Sequence, residues 1–563
     1  MWRRWTTTGP AILAATLSAM GALLAADARA GSTQMVAAAH PLAAQAGFDV
    51  LAAGGNAIDA MVAVQTVLGL VEPQSSGLGG GAFAVYYDAT SGTLTTFDGR
   101  EVAPAAATPD YWLGPDGEPL GFWEAVVGGR SVGVPGTPML LDLLHARYGS
   151  MDWADLLVPA MTLAEEGFAV TPRLASSVAG ARELDRFEPT RSYFFPGGAP
   201  LEAGDVLMNP AYAETLRLMA AERSAPFYDG PVAEAIVAAT TAEGGILALD
   251  DFAAYELVER PPICVEYHRN LVCGMGPPSS GALTVGQILG MVEGFDLQTM
   301  GYGPEAAHLI AEAARLAFKD RALYMADSDF VRVPVEGLVD PAYLVERALL
   351  IDPMAANPDA EAGTPPWDEG ALRAPQSTQP EHGTSHFVIM DEAGNALSMT
   401  TTIESGFGSR LMTGGFLLNN ELTDFSFRPE ADGRPVANRV EGSKRPRSSM
   451  SPTIVLRDGA PYLLIGSPGG SRIIGYTALA AIGVLDWDLM PQSAIDLGHV
   501  INRGGATDLE AGTAAATFAA PLAELGHEVN VRDLTSGLHA ILVTDDGLVG
   551  GADPRREGVV LGD

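Results

Sequence analysis

Thr384 follows Gly383 in the run Glu381-His382-Gly383-Thr384-Ser385-His386-Phe387, and what its hydroxyl can do depends on what takes its proton. Threonine is a weak nucleophile by itself. A chain cut between Gly383 and Thr384 would supply a base on the same residue, the new α-amino group. Phe387-Val388-Ile389-Met390 and Ala396-Leu397-Ser398-Met399-Thr400-Thr401-Thr402 are rich in strand formers and are joined by Asp391-Glu392-Ala393-Gly394-Asn395, which reads as a hairpin. With Gly394 at the left-handed position of a three-residue loop, the register sets Thr384 opposite Thr402. Two hydroxyls then meet across the ladder. Threonine pairs across strands also serve plain sheet packing, so both readings stand on this motif alone.

Other residue types in the chain offer rival chemistry. Gly129-Arg130-Ser131-Val132-Gly133 fits the G-x-S-x-G pattern of a serine nucleophile, but the elbow needs a helix after it and Val134-Pro135-Gly136 follows; the reading is a structural turn. The glycines from Gly77 to Gly81 imitate a dinucleotide fingerprint, yet they follow a helix-like stretch and lead into the strand Phe83-Ala84-Val85-Tyr86-Tyr87, the reverse of the required order. The nine histidines show no metal-ligand spacing, and no metal or cofactor is called for. Arg100, near a strand end in Phe97-Asp98-Gly99-Arg100-Glu101, reads by itself as a surface ion-pair residue. Glu404, Glu421 and Asp424 read as solvated charges.

The elements that must hold these residues follow from the pattern around them. Two packed helices are expected from Pro41 to Val71, broken at Gly54-Gly55, then a hairpin through Ser91-Gly92, and mainly helix from Pro138 to about Thr241. Helices are expected again over Ala282–Leu297 and Pro304–Tyr324. Further on, Ala460–Gly466 reads as a strand and Ile473–Val484 as a helix, with Gly469-Gly470 at the turn between them. The Pro-, Gly- and Glu-rich stretch from Asn357 to about Glu381 reads as a linker ending at the proposed cut. The two cysteines lie in Ile263-Cys264-Val265-Glu266-Tyr267-His268-Arg269-Asn270-Leu271-Val272-Cys273. A two-residue turn at His268-Arg269 sets Cys264 opposite Cys273 at a non-hydrogen-bonded pair, where a disulfide is expected; two reduced buried cysteines are the alternative.

With 563 residues, 47% hydrophobic and 18% charged, the chain is ample for a large core, and extensive disorder is excluded. Its formal charge of -36 repels phosphate backbones and argues against nucleic-acid partners. Arg3 and Arg4, an apolar run from Pro10 to Ala26 and the small-x-small pattern Asp27-Ala28-Arg29-Ala30 read as a secretory signal peptide over residues 1–30. Export to the periplasm or outside the cell is therefore expected, an oxidising setting that suits the cysteine pair. No membrane span is expected after the leader is removed.

Five motifs occur in this order: Gly383-Thr384-Ser385-His386, Thr400-Thr401-Thr402, Leu418-Asn419-Asn420-Glu421-Leu422-Thr423-Asp424-Phe425-Ser426, Lys444-Arg445-Pro446-Arg447-Ser448-Ser449-Met450-Ser451-Pro452-Thr453 and Gly466-Ser467-Pro468-Gly469-Gly470-Ser471-Arg472. With Ala39-His40-Pro41, Gly54-Gly55-Asn56-Ala57-Ile58-Asp59-Ala60 and Glu72-Pro73-Gln74-Ser75-Ser76-Gly77-Leu78-Gly79-Gly80-Gly81, they resemble the γ-glutamyltransferase (glutathione hydrolase) family of N-terminal nucleophile hydrolases over nearly the whole mature chain. The resemblance implies an α+β fold, a four-layer αββα sandwich built from two autoproteolytic fragments, residues 31–383 as large subunit and 384–563 as small subunit. It also implies a role for each motif residue. Gly383 and Thr384 form the cleavage site, Thr384 is the nucleophile with Thr402 beside it, and Gly469 and Gly470 hold the oxyanion. Arg100, Ser448 and Ser449 take the donor's α-carboxylate, while Glu404, Glu421 and Asp424 take its α-ammonium. The implied donor is a small γ-glutamyl compound such as glutathione, with water or an amino acid or peptide as acceptor. Two departures stand out: Glu404 falls where many members have Asn, and the short stretch from Arg428 to Ser443 lacks the aromatic lid loop of some members. Alternatives are a glutaryl (cephalosporin) acylase on the same scaffold, a processed but catalytically idle exported binding protein, and a serine hydrolase using Ser131.

Overall fold

The computed structural model describes residues 31–366, 373–376 and 383–563. The leader read over residues 1–30, part of the stretch read as a linker, and Glu381 and His382 lie outside them. Two antiparallel sheets are built from β1 (Met35–Ala38), β2 (Gly81–Asp88), β3 (Thr93–Gly99), β4 (Val258–Arg260), β5 (Ile263–Tyr267), β6 (Asn270–Gly274), β7 (Ser385–Met390), β8 (Ala396–Thr402), β9 (Thr453–Arg457), β10 (Ala460–Gly466), β11 (His539–Thr544), β12 (Gly547–Ala552) and β13 (Val559–Gly562). The first sheet has seven strands in the order β13-β1-β7-β8-β2-β3-β4, and the second has six in the order β12-β11-β10-β9-β6-β5.

Strand alternation decides the layering. On β7, Phe387 and Ile389 join a core with α1 (Pro41–Ala52) and α2 (Ala57–Val71). Their neighbours Val388 and Met390 point the other way, onto Ile454, Leu464 and Ile541 of the second sheet. That sheet turns Val455, Leu463, Ile465, Ala540 and Leu542 toward α3 (Gly281–Val292), α4 (Pro304–Tyr324) and α5 (Ile473–Leu485). Helices, sheet, sheet and helices thus make the expected four-layer αββα sandwich.

The hairpin has the expected register, from Ala396 opposite Met390 to Thr401 opposite Ser385, with Gly394 at φ 87° in its loop. The same count holds in the second sheet. Cys264 lies opposite Cys273 and the two are bonded, S–S 2.07 Å. One expectation fails: the helix read over Ala282–Leu297 stops at Val292. Gly294 interrupts it, and Asp296 accepts the Thr299 N–H to open a separate turn, Leu297–Met300. The apolar Phe295 and Leu297 had prolonged the pattern past its true end. Among the described residues no helix is long and apolar enough to cross a membrane.

Candidate active site

Thr384 sits just before β7, and Thr402 is the last residue of β8. Their hydroxyl oxygens are 3.1 Å apart, and Thr402 Oγ1 also accepts the Glu404 N–H at 2.8 Å. Thr384 has φ 79°, a left-handed backbone that a β-branched residue seldom adopts, after Gly383 at φ 134°. Only glycine fits at 383, because a Cβ there would lie 1.8 Å from the Glu404 carbonyl oxygen. Such a conformation costs about 1–3 kcal/mol and persists only where its surroundings hold it. Here the Thr384 N–H donates to the Ser75 carbonyl at 3.0 Å, and Arg556 Nη1 donates to the Thr384 carbonyl at 3.0 Å. The strain therefore lies on the Gly383–Thr384 link itself.

Next to the hydroxyl pair is a small cavity of about 20 Å³ lined by Arg100, Thr384, Thr402, Glu404, Glu421, Asp424, Ser448, Ser449 and Gly470. Residues scattered over 370 positions of sequence meet here because β3, the loops after β8 and the turn after β10 all end at this edge of the sandwich. Arg100 is 1% exposed; its guanidinium contacts Glu421, lies 2.5 Å from Asp424 Oδ2 and donates to the carbonyls of Pro446 and Arg447, each at 3.1 Å. Taken singly, Arg100 reads as a surface ion-pair residue and Glu421 and Asp424 as solvated charges. Instead they touch, since a buried charge is stable only when paired. Glu404, at φ 74°, accepts from Ser405 Oγ at 2.5 Å and from Asn420 Nδ2. Ser448 Oγ accepts the Met450 N–H, and Ser449 Oγ accepts from Arg321 Nη2 at 2.6 Å.

Glu101 joins this cluster, 3.8 Å from Arg100, and neither of its oxygens has a hydrogen-bond partner. Burial raises its carboxyl to about 7 and pushes Glu421 well above the ordinary carboxylate range; Arg100 pulls both down only in part. Sequence reasoning passed over Glu101, although it stands next to Arg100 in the same motif. It also passed over Arg556, Asn420 and Arg321, whose contacts arise only in the folded chain.

Gly469 and Gly470 form the turn from β10 into α5, at φ 131° and φ 61°. A Cβ on Gly469 would meet the Tyr476 ring at 2.7 Å, so the backbone can pass here only as glycine. Ser131 lies in a buried turn, Gly129–Ser131, with its hydroxyl donating to the carbonyls of Val126 and Gly128, and the backbone after it is extended. It forms no elbow. Among the described residues no group of His, Cys, Asp and Glu could hold a metal ion.

A threonine at the edge of a central strand, between two sheets flanked by helices, with glycine amides beside it, places the molecule among the N-terminal nucleophile hydrolases. A family model described as gamma-glutamyltranspeptidase matches residues 43–563. The chain is 35% identical over 543 residues to the glutathione hydrolase proenzyme of Bacillus subtilis (strain 168), covering 94% of this chain and 92% of that one. It is also 35% identical over 534 residues to the acylase ACY 1 proenzyme of Pseudomonas sp. (strain V22), covering 93% and 92%. Among solved structures, cephalosporin acylase from Bacillus halodurans superposes with a TM-score of 0.83 at 29% identity, covering 94% of this chain and 96% of that one. Helicobacter pylori gamma-glutamyltranspeptidase superposes with a TM-score of 0.57 at 36% identity, covering 59% and 96%. The chain belongs to the γ-glutamyltranspeptidase family, and it is an enzyme.

Proposed function

We propose that this protein is an exported, self-processing enzyme that cleaves γ-glutamyl amides such as glutathione through an acyl-threonine intermediate. Maturation begins on the strained link. Thr384 Oγ1 attacks the Gly383 carbonyl carbon, the peptide C–N bond breaks as the acyl group moves from nitrogen to oxygen, and water hydrolyses the ester. Residues 31–383 and 384–563 result, with the signal peptide over residues 1–30 already removed, and the new Thr384 amine becomes the base for its own hydroxyl. In turnover Thr384 Oγ1 bonds to the donor's γ-carbonyl carbon, the C–N bond breaks, and the amine leaves with the proton. Water, or the amine of an amino acid or peptide, then attacks the ester and releases the glutamyl group. The Thr402 hydroxyl orients Thr384, and the Gly469-Gly470 amides stabilise the oxyanion.

The donor's amino-acid end enters the acidic pocket by exchanging partners. Its α-carboxylate takes the Arg100 fork with help from Ser448 and Ser449, and its α-ammonium takes up Glu404, Glu421 and Asp424. The observation that carries this reading is the excess of carboxylates over the single guanidinium in the pocket beside Thr384, which calls for a cation in the ligand. The acylase alternative has support in a relative and a solved structure that bear that name, but a glutaryl donor has no ammonium to answer those carboxylates. The test is the ratio of kcat/KM for γ-glutamyl-p-nitroanilide and glutaryl-p-nitroanilide. A strong γ-glutamyl preference is expected; comparable values would sink the glutamyl assignment in favour of the acylase.

A further inference from the structure

On a chain of net charge -36 a concentration of arginine needs a reason. One adjoins the nucleophile. A cleft of about 460 Å³ is lined by Arg173, Arg182, Arg410, Arg472, Arg532 and Arg556, against a single lining carboxylate, Asp533. Gly383 and Gly469 line this cleft, while their chain neighbours Thr384 and Gly470 line the acidic pocket, so the two cavities meet at the reacting hydroxyl.

The positive charge in the cleft is only partly answered from within. Arg173 pairs with Glu72 at 3.2 Å and Arg472 with Asp508 at 2.9 Å. Arg410 and Arg556 make no ion pair among the described residues. Arg410 donates to the carbonyls of Arg182 and Gly408 and lies over the Trp123 ring, and Arg556 donates to those of Thr384, Thr535 and Ser536. Burial holds both below the usual guanidinium range, and Arg173 adds repulsion at Arg556. At the rim Arg182 lies 3.5 Å from Glu183 and Arg532 4.0 Å from Asp508; with side chains 59% and 52% exposed these are weak surface pairs, and both guanidinium groups are able to swing onto an entering anion.

A donor amide with its acyl part in the acidic pocket and its carbonyl at Thr384 can lead the other half of the molecule out past Gly383 and Gly469 into the cleft. Resting on the function proposed above, we infer that the arginine cleft is the leaving-group subsite and that it selects departing amines bearing carboxylates, more strongly the more they bear. Guanidinium forks match carboxylates, and a cleft with one sign of charge concentrates the opposite sign.

Three donors with one acyl group test this: γ-glutamylaspartate, γ-glutamylglycine and γ-glutamylglycinamide, whose leaving amines carry two, one and no carboxylates. With the mature wild-type enzyme kcat/KM is expected to fall in that order, by about 3- to 10-fold at each step, and the steps are expected to shrink at high salt, as exposed charges are screened. In Arg182→Gln/Arg532→Gln the aspartate-to-glycinamide ratio is expected to drop at least threefold, read as a ratio within one enzyme so that any general loss cancels. A wild-type preference for glycinamide, equal values for the three, or a ratio that the double variant leaves unmoved overturns the subsite. Failure of the wild type to turn over γ-glutamyl-p-nitroanilide at all would instead be the failure of the underlying function.

Discussion

The pocket on one side of Thr384 holds about 20 Å³ and gathers Glu404, Glu421 and Asp424 around Arg100, whereas the cleft on the other side holds about 460 Å³ and is edged by six arginines. In the pocket the charges are buried, and a ligand carboxylate must replace an existing partner of Arg100. A misfit there leaves a buried charge unpaired and costs heavily. In the cleft two of the six arginines, Arg182 and Arg532, stand in water at the rim, where pairing is worth little per contact and is screened by salt. Recognition of the acyl half should therefore be nearly all-or-none, and recognition of the departing half graded.

Three measurements break or sharpen that contrast. The largest effect falls where the cavities join. Thr384→Ala is expected to remain a single chain on a denaturing gel and to lose about 10⁴-fold or more in kcat/KM on any donor, whichever cavity the donor exploits. A cleaved Thr384→Ala chain would falsify self-processing by this hydroxyl. Second in size is the pocket alone. Asp424→Asn is expected to lower kcat/KM for γ-glutamyl-p-nitroanilide by tens to thousands-fold, about 2–5 kcal/mol for a desolvated charge partner, with a much smaller change for the glutaryl compound. The variant should still be cut at Thr384, since Asp424 contacts Arg100 and not Gly383. Equal losses on both donors would erase the asymmetry.

The smallest effect is on pH dependence. Burial raises Glu101 to about 7, so its carboxyl is neutral below that pH and charged above it. A ligand ammonium is better held by the charged form. KM for γ-glutamyl donors is expected to fall several-fold as pH rises through about 7, while KM for glutaryl donors does not, and Glu101→Gln should flatten the difference. A γ-glutamyl KM that is indifferent to pH, or that rises over that interval, removes Glu101 from the pocket's electrostatics.

Local rules made part of this legible. Gly394 in the loop and strict alternation on both strands leave the hairpin one register, which sets Thr384 against Thr402; the His268-Arg269 turn does the same for Cys264 and Cys273. The motif residues were nameable from their resemblance, and the fold brings them into one cavity except for Gly383 and Gly469, which line the adjoining cleft. Their mutual contacts were not readable. Arg100 and Glu421 are 321 residues apart, and Arg556 reaches the Thr384 carbonyl from 172 residues away. Whether two such groups touch or merely face one pocket depends on how the sheet edge and loops converge, which no window of sequence encodes. One helix end was misread for a related reason, because apolar residues beyond Gly294 continue a periodicity that the backbone does not follow.

The order of strands in the first sheet carries one more consequence. In β13-β1-β7-β8-β2, the strands β1 and β2 precede the Gly383–Thr384 bond and the other three follow it; in the second sheet β9 pairs with β6 across the same divide. The two lengths of chain are woven, with β1 held on both edges by the later part and Asp563 bonded to the backbone of Thr33. A cut at that bond severs no rung of either ladder. The halves would be parted covalently yet remain one body, like the two threads of a cloth, and drawing them apart would mean unpicking four strand seams at once.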